Sequence, residues 1–260
     1  MNEKEKPKEM TLEGIKKIIE KSGYPLEIDI ANILRQRKWM VFHQFPYLEK
    51  IEKKIKLVDL YAINPYTREP TVSLLVECKK STKHGWAFYT IEKHQEMQSV
   101  AALWVDFLKK IQGYDVKSEP TNGRKITLQL EGFHLANPEM KMGTLCCIPP
   151  NHHDDFHEAI YQVLDALTSI PRRTPEVIFP VIVFEGPMWE FHKNKDLEIH
   201  EIEHLQYISA NPDTGSAQLI DIVNKSYFAD FLRLVDGSVE WLKQNLVKME
   251  VKKQDERIHL

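Results

Sequence analysis

The sequence predicts an α/β protein in which a mixed central sheet is flanked by helices. Three observations indicate this class. Two segments near the start carry apolar residues at helical spacing, three short apolar runs typical of strands follow them, and a further amphipathic segment precedes another apolar run. The chain has 260 residues, so it can bury a large core without disulfides.

The first predicted elements are two helices. "MTLEGIKKIIEKSGY" and "PLEIDIANILRQRKW" are each apolar along one side, and Pro25 suits the first turn of the second helix. Residues 1–9 are rich in Lys and Glu and are expected to be a disordered tail. The two apolar stripes are Leu12, Ile15, Ile18 and Ile19, then Leu26, Ile30, Ile33 and Leu34.

Three strands are predicted next, in "WMVFHQFPY", "KIKLVDLYAIN" and "TVSLLVECKKS". The turn "NPYTREP" (64–70) separates the second strand from the third. Both of these strands are apolar at alternating and intervening positions. We therefore expect both faces of the sheet to be covered here.

The second half is predicted in less detail. Residues 90–150 are interpreted as an insertion or peripheral layer, with a helix in "EKHQEMQSVAALWVDFLKKI", a strand in "RKITLQLEGFHL", and a loop or short strand in "NPEMKMGTLCCIPPN". A clear amphipathic helix covers 154–170. Then come the strands of "PEVIFPVIVFEGPMWEFH" around a turn at Gly186 and Pro187, the strand "SAQLIDIVNK", and a long helix from about Tyr227 as a C-terminal extension.

Composition limits the function classes. The net charge of −3 gives no global basic field, so a nucleic-acid partner would need a local basic groove. Three cysteines form no disulfide framework or zinc spacing, the N-terminus lacks a signal-peptide core, and no window reaches the roughly 18 apolar residues of a membrane span. A cytoplasmic protein without a membrane partner is expected.

An acid and a base stand side by side in the third strand. Glu77 and Lys79 are two residues apart, so their side chains share one strand face with Leu75. In the second strand, Asp59 lies between Val58 and Leu60 with no turn residue beside it. A lone buried carboxylate is costly unless it is paired or binds a metal. If the two strands are hairpin neighbours, the two carboxylates come close together.

This pattern predicts a metal-dependent phosphodiesterase. Close carboxylates repel unless a cation neutralises them, and hard oxygen ligands favour Mg²⁺ or Mn²⁺. Lys79 beside a metal-bound water would hold that water for attack on phosphorus. Glu27 borders the inward stripe of the second helix, three residues before Ile30, so it is the helix acid that could reach over the sheet.

These residues resemble the PD-(D/E)XK nuclease superfamily, which has the restriction-endonuclease-like fold. The likeness covers residues 24–88 well and extends loosely to about 154–186, so the expected organisation is one nuclease-like domain over 10–260 with the insertion at about 90–150. Val58 stands where the family often has a proline, and the segment before the helix at 154–170 is long.

The resemblance implies a site. Asp59 and Glu77 would bind Mg²⁺ with the Cys78 backbone carbonyl as a further ligand, Lys79 would position the nucleophile, and Glu27 would assist. It also implies a DNA endonuclease of restriction or repair type, a class whose double-strand cutters often act as homodimers. The alternative left open is a non-catalytic nucleic-acid-binding or protein-interaction module on the same fold.

Other polar residues are weaker candidates. Gln162 on the helix at 154–170 would face the site or be an ordinary polar position. His153 and His157 have metal-pair spacing, but the exposed end of a helix is the favoured interpretation. Lysines near the motif would line a phosphate groove or simply be solvated; they are Lys54, Lys56, Lys80 and Lys83.

Overall fold

The computed structural model describes residues 11–50, 52–67, 71–81, 84–91, 114–116, 140–147, 155–170, 176–193, 196–210 and 217–248. In this part of the chain, a ten-stranded mixed sheet is flanked by four α-helices, which confirms the α/β class. The helices are α1 (Leu12–Lys21), α2 (Tyr24–Gln36), α3 (Asp155–Ser169) and α4 (Phe228–Asn245), with a 3₁₀ turn at Lys225–Tyr227 before α4.

The strands form one large sheet and one small one. The large sheet has the order β1-β2-β3-β7-β11-β10-β6-β4-β8-β9, and β5 and β12 form a separate two-stranded sheet. The strands are β1 (Met40–Leu48), β2 (Ile55–Ile63), β3 (Thr71–Lys80), β4 (Trp86–Ile91), β5 (Tyr114–Val116), β6 (Met142–Cys147), β7 (Glu176–Glu185), β8 (Met188–Lys193), β9 (Leu197–Glu201), β10 (His204–Ala210), β11 (Ala217–Asn224) and β12 (Leu246–Lys248).

Strand direction brings several chain ends to one edge of the sheet. The first three strands form an antiparallel meander, whereas β7 runs parallel to both β3 and β11. The carboxyl ends of β3, β7 and β11 therefore lie at the same edge, where ligands commonly bind in α/β sheets.

Helices cover the two faces of the sheet as separate layers. On one face, α2 and α4 pack against the sheet in a cluster that includes Leu34, Val76 and Phe231. On the other face, α3 packs against the sheet in a cluster that includes Leu75, Phe156 and Ile182. The apolar stripes predicted for α2, for α3 and for the last helix are confirmed as core-facing surfaces. β3 is buried on both faces as predicted, whereas the first three residues of β2 are exposed and its burial begins at Val58.

The first helix differs from the others. α1 begins after Thr11, whose hydroxyl accepts a hydrogen bond from the Gly14 N–H at 3.1 Å. Its predicted stripe is exposed, however, and α1 has no buried residue; Leu12 is 86% and Ile18 is 59% exposed. Helical spacing fixes which residues share a side, but it does not supply a neighbour to cover them.

Two further findings concern topology. β6, inside the segment predicted as an insertion, lies within the sheet between β10 and β4. The sequence patterns do not predict β4, β5, β9, β10 or β12. Every residue of β9 is exposed, so its sequence lacks a buried apolar pattern. The tail at 1–9 and the helix and strand predicted in 92–111 and 124–135 lie outside the described residues. None of the described helices is long and apolar enough to cross a membrane.

Candidate functional site

The antiparallel pairing of β2 with β3 places the two sheet carboxylates beside each other. Leu60 lies opposite Val76 and Tyr61 opposite Leu75, so Asp59 and Glu77 come directly next to the last paired residues, and the Asp59 charge raises the pKa of Glu77. Glu27 approaches from α2, close enough for the Asp59 charge to raise its pKa. The structure therefore brings together all three acids that the sequence singled out.

Lys79 faces α3, as does Glu77. Leu75 belongs to the cluster under α3, and alternation along β3 puts Glu77 and Lys79 on that face. The Lys79 Nζ donates a hydrogen bond to the Gln162 Oε1 of α3 at 2.9 Å and lies 3.2 Å from the Glu77 Oε1. Of the two interpretations of Gln162, the structure shows the one in which it faces the site.

The strand around Asp59 is irregular. Val58 and Tyr61 belong to the same cluster although they are three residues apart, whereas Leu60 belongs to the other cluster. The regular alternation expected for β2 thus slips by one residue at Asp59. The register of β2 with β1 is the same on both sides of Asp59, so neither strand carries the extra residue of a β-bulge, and the change is one of side-chain direction.

Cys78 holds Asp59 through its backbone. The Cys78 N–H donates to the Asp59 Oδ2 at 2.8 Å. The thiol is buried, and burial with nearby carboxylates raises its pKa well above the ordinary range, so it stays neutral. The contribution of Cys78 to the site is therefore made by its main chain.

Glu77 is the most isolated charge of the group. Its residue is 3% exposed, and its Oε2 is buried without a hydrogen-bond partner among the described residues. Burial, and then the Asp59 carboxylate, raise the pKa of Glu77 to about 8, although Lys79 opposes the shift. A buried acid oxygen with no donor is costly in a folded protein, so it marks a place where a cation, proton or water is expected.

The remaining two acids carry shifts of the same sign. Burial is the largest cause of the raised pKa of Asp59, and the Cys78 N–H, Lys79 and Gln44 each act against it. Burial and the Asp59 charge raise the pKa of Glu27. The Asp59 charge acts on both glutamates, and with one ammonium beside three acids the site has an excess of negative charge.

Gln44 is a site residue that the sequence did not reveal. Its Nε2 donates to the Glu27 Oε2 at 2.7 Å and lies 3.4 Å from the Asp59 Oδ1. A glutamine in an apolar strand such as β1 gives no pattern that points to a carboxylate. Only the pairing of β1 with β2 places it beside the acids.

The lysines predicted to line a phosphate groove lie in different parts of the fold. Lys80 lies 3.0 Å from Glu185, which also accepts a hydrogen bond from the Lys225 Nζ at 2.8 Å. Lys225, which the sequence did not suggest, lies 2.8 Å from Asp29 of α2 as well. At this edge of the sheet, two lysines therefore share Glu185.

The other three lysines differ in position. Lys56 lies 3.7 Å from Asp165, and Lys54 lies 3.0 Å from Glu52 near the β1–β2 turn. Lys83 lies outside the described residues, as do His152 and His153 of the histidine-rich segment. His157 makes an edge contact with Phe156 at 5.3 Å, and the residues described around it include no metal-holding group.

The donor set is compatible with Mg²⁺ or Mn²⁺. The described residues contain no group of three or more His, Cys, Asp or Glu arranged to hold an ion. Mg²⁺ commonly uses only one or two carboxylates and keeps several waters. Asp59 with the free Glu77 oxygen meets that smaller requirement.

The chain matches no protein-family model, no curated protein and no solved structure. Its function must be inferred from the geometry and chemistry of these side chains.

Proposed function

We propose that this protein is a metal-dependent phosphodiester hydrolase that acts on nucleic acid, with a restriction-endonuclease-like core. The best-supported class is a DNA endonuclease of restriction or repair type. The observation that carries the proposal is the buried Glu77 oxygen without a donor, beside Asp59 and with the Lys79 ammonium 3.2 Å from the other Glu77 oxygen. Clustered acids with raised pKa values around a fixed lysine are more typical of a reactive site than of a structural ion pair.

Asp59, Glu77 and the Cys78 carbonyl would hold the ion. When bound, Mg²⁺ or Mn²⁺ polarises a phosphoryl oxygen and stabilises the charge that develops there. The Cys78 N–H and Gln44 amide orient the Asp59 carboxylate, as outer donors commonly do for acidic ligands.

Lys79 would position the attacking water. Its ammonium has three N–H donors, and the described contacts account for two of them, one toward Glu77 and one toward Gln162. A donor remains for a water or for an oxygen of the scissile phosphate. Gln162 restricts the lysine to this place, which favours a near-attack geometry.

DNA would approach along the edge that carries Lys80 and Lys225. Both lysines share Glu185, and their side chains are partly exposed. With a net charge of −3 for the chain, phosphate binding would depend on this local cluster.

A cleavage assay tests the proposal. Purified protein is mixed with plasmid, duplex and branched DNA, and with RNA, in Mg²⁺ or Mn²⁺. We expect metal-dependent cleavage that falls about 100-fold or more in Asp59→Ala and in Lys79→Ala, since each removes a group from the reacting centre. Lys243→Ala is the matched control, because Lys243 pairs with Glu240 at 2.7 Å on the exposed surface of α4.

Two results would decide against it. Cleavage that persists in both Asp59→Ala and Lys79→Ala would refute the proposed mechanism. Nucleic-acid binding without any metal-dependent cleavage, unchanged in Lys79→Ala, would favour the non-catalytic binding module instead.

A further inference from the structure

Gln44 has a backbone conformation that its position in the strand does not require. Its φ is 47°, in the left-handed region that costs a non-glycine residue about 1 kcal/mol or more. The flanking residues pair normally, His43 with Leu60 and Phe45 with Val58, but Gln44 itself is skipped. The residue of β2 opposite Gln44 is Asp59, so the left-handed backbone at Gln44 faces the break in side-chain alternation at Asp59.

The other described non-glycine residues with positive φ are in ordinary places. Lys38 follows the end of α2, and Lys53 lies in the turn between β1 and β2. Left-handed residues commonly end helices and close turns. Gln44 ends no element and closes no turn, since it lies in the middle of β1.

The side chain supplies a reason for this conformation. The Gln44 amide nitrogen reaches an acid of the helix layer and an acid of the sheet at once, at 2.7 Å from the Glu27 Oε2 and 3.4 Å from the Asp59 Oδ1. The second Asp59 oxygen is held by the Cys78 N–H at 2.8 Å. Each Asp59 oxygen therefore has one protein donor, and the plane of the carboxylate is fixed.

We propose that Gln44 is a positioning residue that links α2 to β2 and sets the orientation in which Asp59 meets a divalent cation. This inference rests on the proposed function for the identity of the cation. Since an amide NH₂ group only donates, it commits one lone pair of each acid to the protein and leaves the others directed to the site.

Two substitutions separate the side chain from the backbone. Gln44→Gly keeps the left-handed conformation at no steric cost but lacks the amide, and Gln44→Met keeps the side-chain size but lacks the donor. Lys53→Gly is the matched control for relief of a positive φ. Calorimetric titration with Mn²⁺ should show affinity reduced about 10- to 100-fold in both Gln44 variants and unchanged in Lys53→Gly.

A second measurement does not depend on metal. Urea unfolding of Gln44→Met, Glu27→Met and the double variant forms a double-mutant cycle. We expect the coupling to change the unfolding constant about tenfold, because either single change leaves a buried polar group without its partner.

The outcomes distinguish this inference from the proposed function. Cleavage by the wild type, with unaltered Mn²⁺ affinity in Gln44→Gly, would overturn the role of Gln44 and leave the nuclease proposal standing. If the wild type neither cuts nor binds Mn²⁺, the nuclease proposal falls and Gln44 positions no cation. The cycle then shows whether the amide still links α2 to β2, and additive changes in it would refute that link as well.

Discussion

Two buried acids on opposite faces of the same sheet have opposite surroundings. Asp221 on β11 and Glu77 on β3 flank β7 at nearly the same level, since Asp221 pairs with Val181 and Glu77 with Ile182. They are 1% and 3% exposed. The Asp221 Oδ1 lies 2.9 Å from the His204 Nε2 and 3.3 Å from the Gln206 Nε2, whereas the Glu77 Oε2 has no partner among the described residues.

The difference shows that burial of an acid does not by itself identify a reactive site. The Asp221 group satisfies its own hydrogen bonds and packs His204 against Phe231, as a structural cluster does. The Glu77 group concentrates like charges and leaves an acceptor unmatched. Only the second arrangement gives the protein a reason to take up a cation.

The largest expected effect is a pair of isosteric changes with opposite signs. Asp221→Asn should reduce the free energy of unfolding by about 3 kcal/mol, because it removes the charge from a buried and satisfied cluster. Glu77→Gln should raise it by about 1 kcal/mol at pH 8, because it removes a poorly solvated charge. Urea unfolding at pH 8 measures both. Equal losses of unfolding free energy in the two variants would show that the surroundings of the two acids do not differ in this way.

The next largest effect is on the pH dependence of the free energy of unfolding, to which Glu77 should contribute and Asp221 should not. The folded pKa of Glu77 is about 8, above its ordinary value of 4.5, so the folded state holds a proton that the unfolded chain releases. Stability is then highest below the unfolded pKa and falls as pH rises toward 8, by about 1 kcal/mol per pH unit. Urea midpoints from pH 5 to pH 8 measure the slope. Glu77→Gln should reduce the slope, to which Asp59 and Glu27 also contribute through their raised pKa values, and Asp221→Asn should keep it; an undiminished slope in Glu77→Gln would assign it elsewhere.

A bound metal ion should raise the free energy of unfolding through the Asp59 and Glu77 carboxylates, and not through Asp221. At ten times the dissociation constant, Mg²⁺ or Mn²⁺ should add about 1.4 kcal/mol, which raises the Tm by about 2–4 °C. Asp59→Asn should abolish the shift, and Asp221→Asn should retain it from a lower starting Tm. Differential scanning fluorimetry with and without chelator checks this. A shift that persists in Asp59→Asn would place the ion elsewhere.

The smallest expected effect compares two lysines that each pair with a glutamate. Lys80 lies 3.0 Å from Glu185 at the site edge, and Lys141 lies 3.3 Å from Glu190, which also accepts from Thr90. Lys80→Ala should lower the slope of log affinity for DNA against log salt by about one, since one phosphate contact is lost. Lys141→Ala should leave it unchanged. Fluorescence anisotropy in EDTA measures the slopes, and equal slopes would exclude Lys80 from the groove.

Local patterns allowed most described elements to be predicted. The strands that hold Asp59 and Glu77 follow from short apolar runs with one turn between them, and such a connection makes antiparallel neighbours. The apolar stripe of α2 identified Glu27 as the inward acid, and Glu27 is buried. These features depend on residues that are close together in the chain.

Features that depend on distant segments were missed. The pairing of β6 with β10 joins Met142 to Gln206, and no local signal announces it. The exposed stripe of α1 looks in sequence like the buried stripe of α2. Gln44 and Lys225 became site residues only when β1 met β2 and when the turn after β11 met α2.

The sequence by itself determined the α/β class, the strands of the acid and lysine motif, and the face of β3 that carries Glu77 and Lys79. Periodicity determines these because side-chain direction repeats every two residues in a strand and every 3.6 in a helix. Only the tertiary structure decided that β2 slips at Asp59, that Gln44 holds two acids, and that one Glu77 oxygen has no partner. Such properties arise from contacts between segments, and hydrogen-bond satisfaction is a sum over all neighbours of an atom.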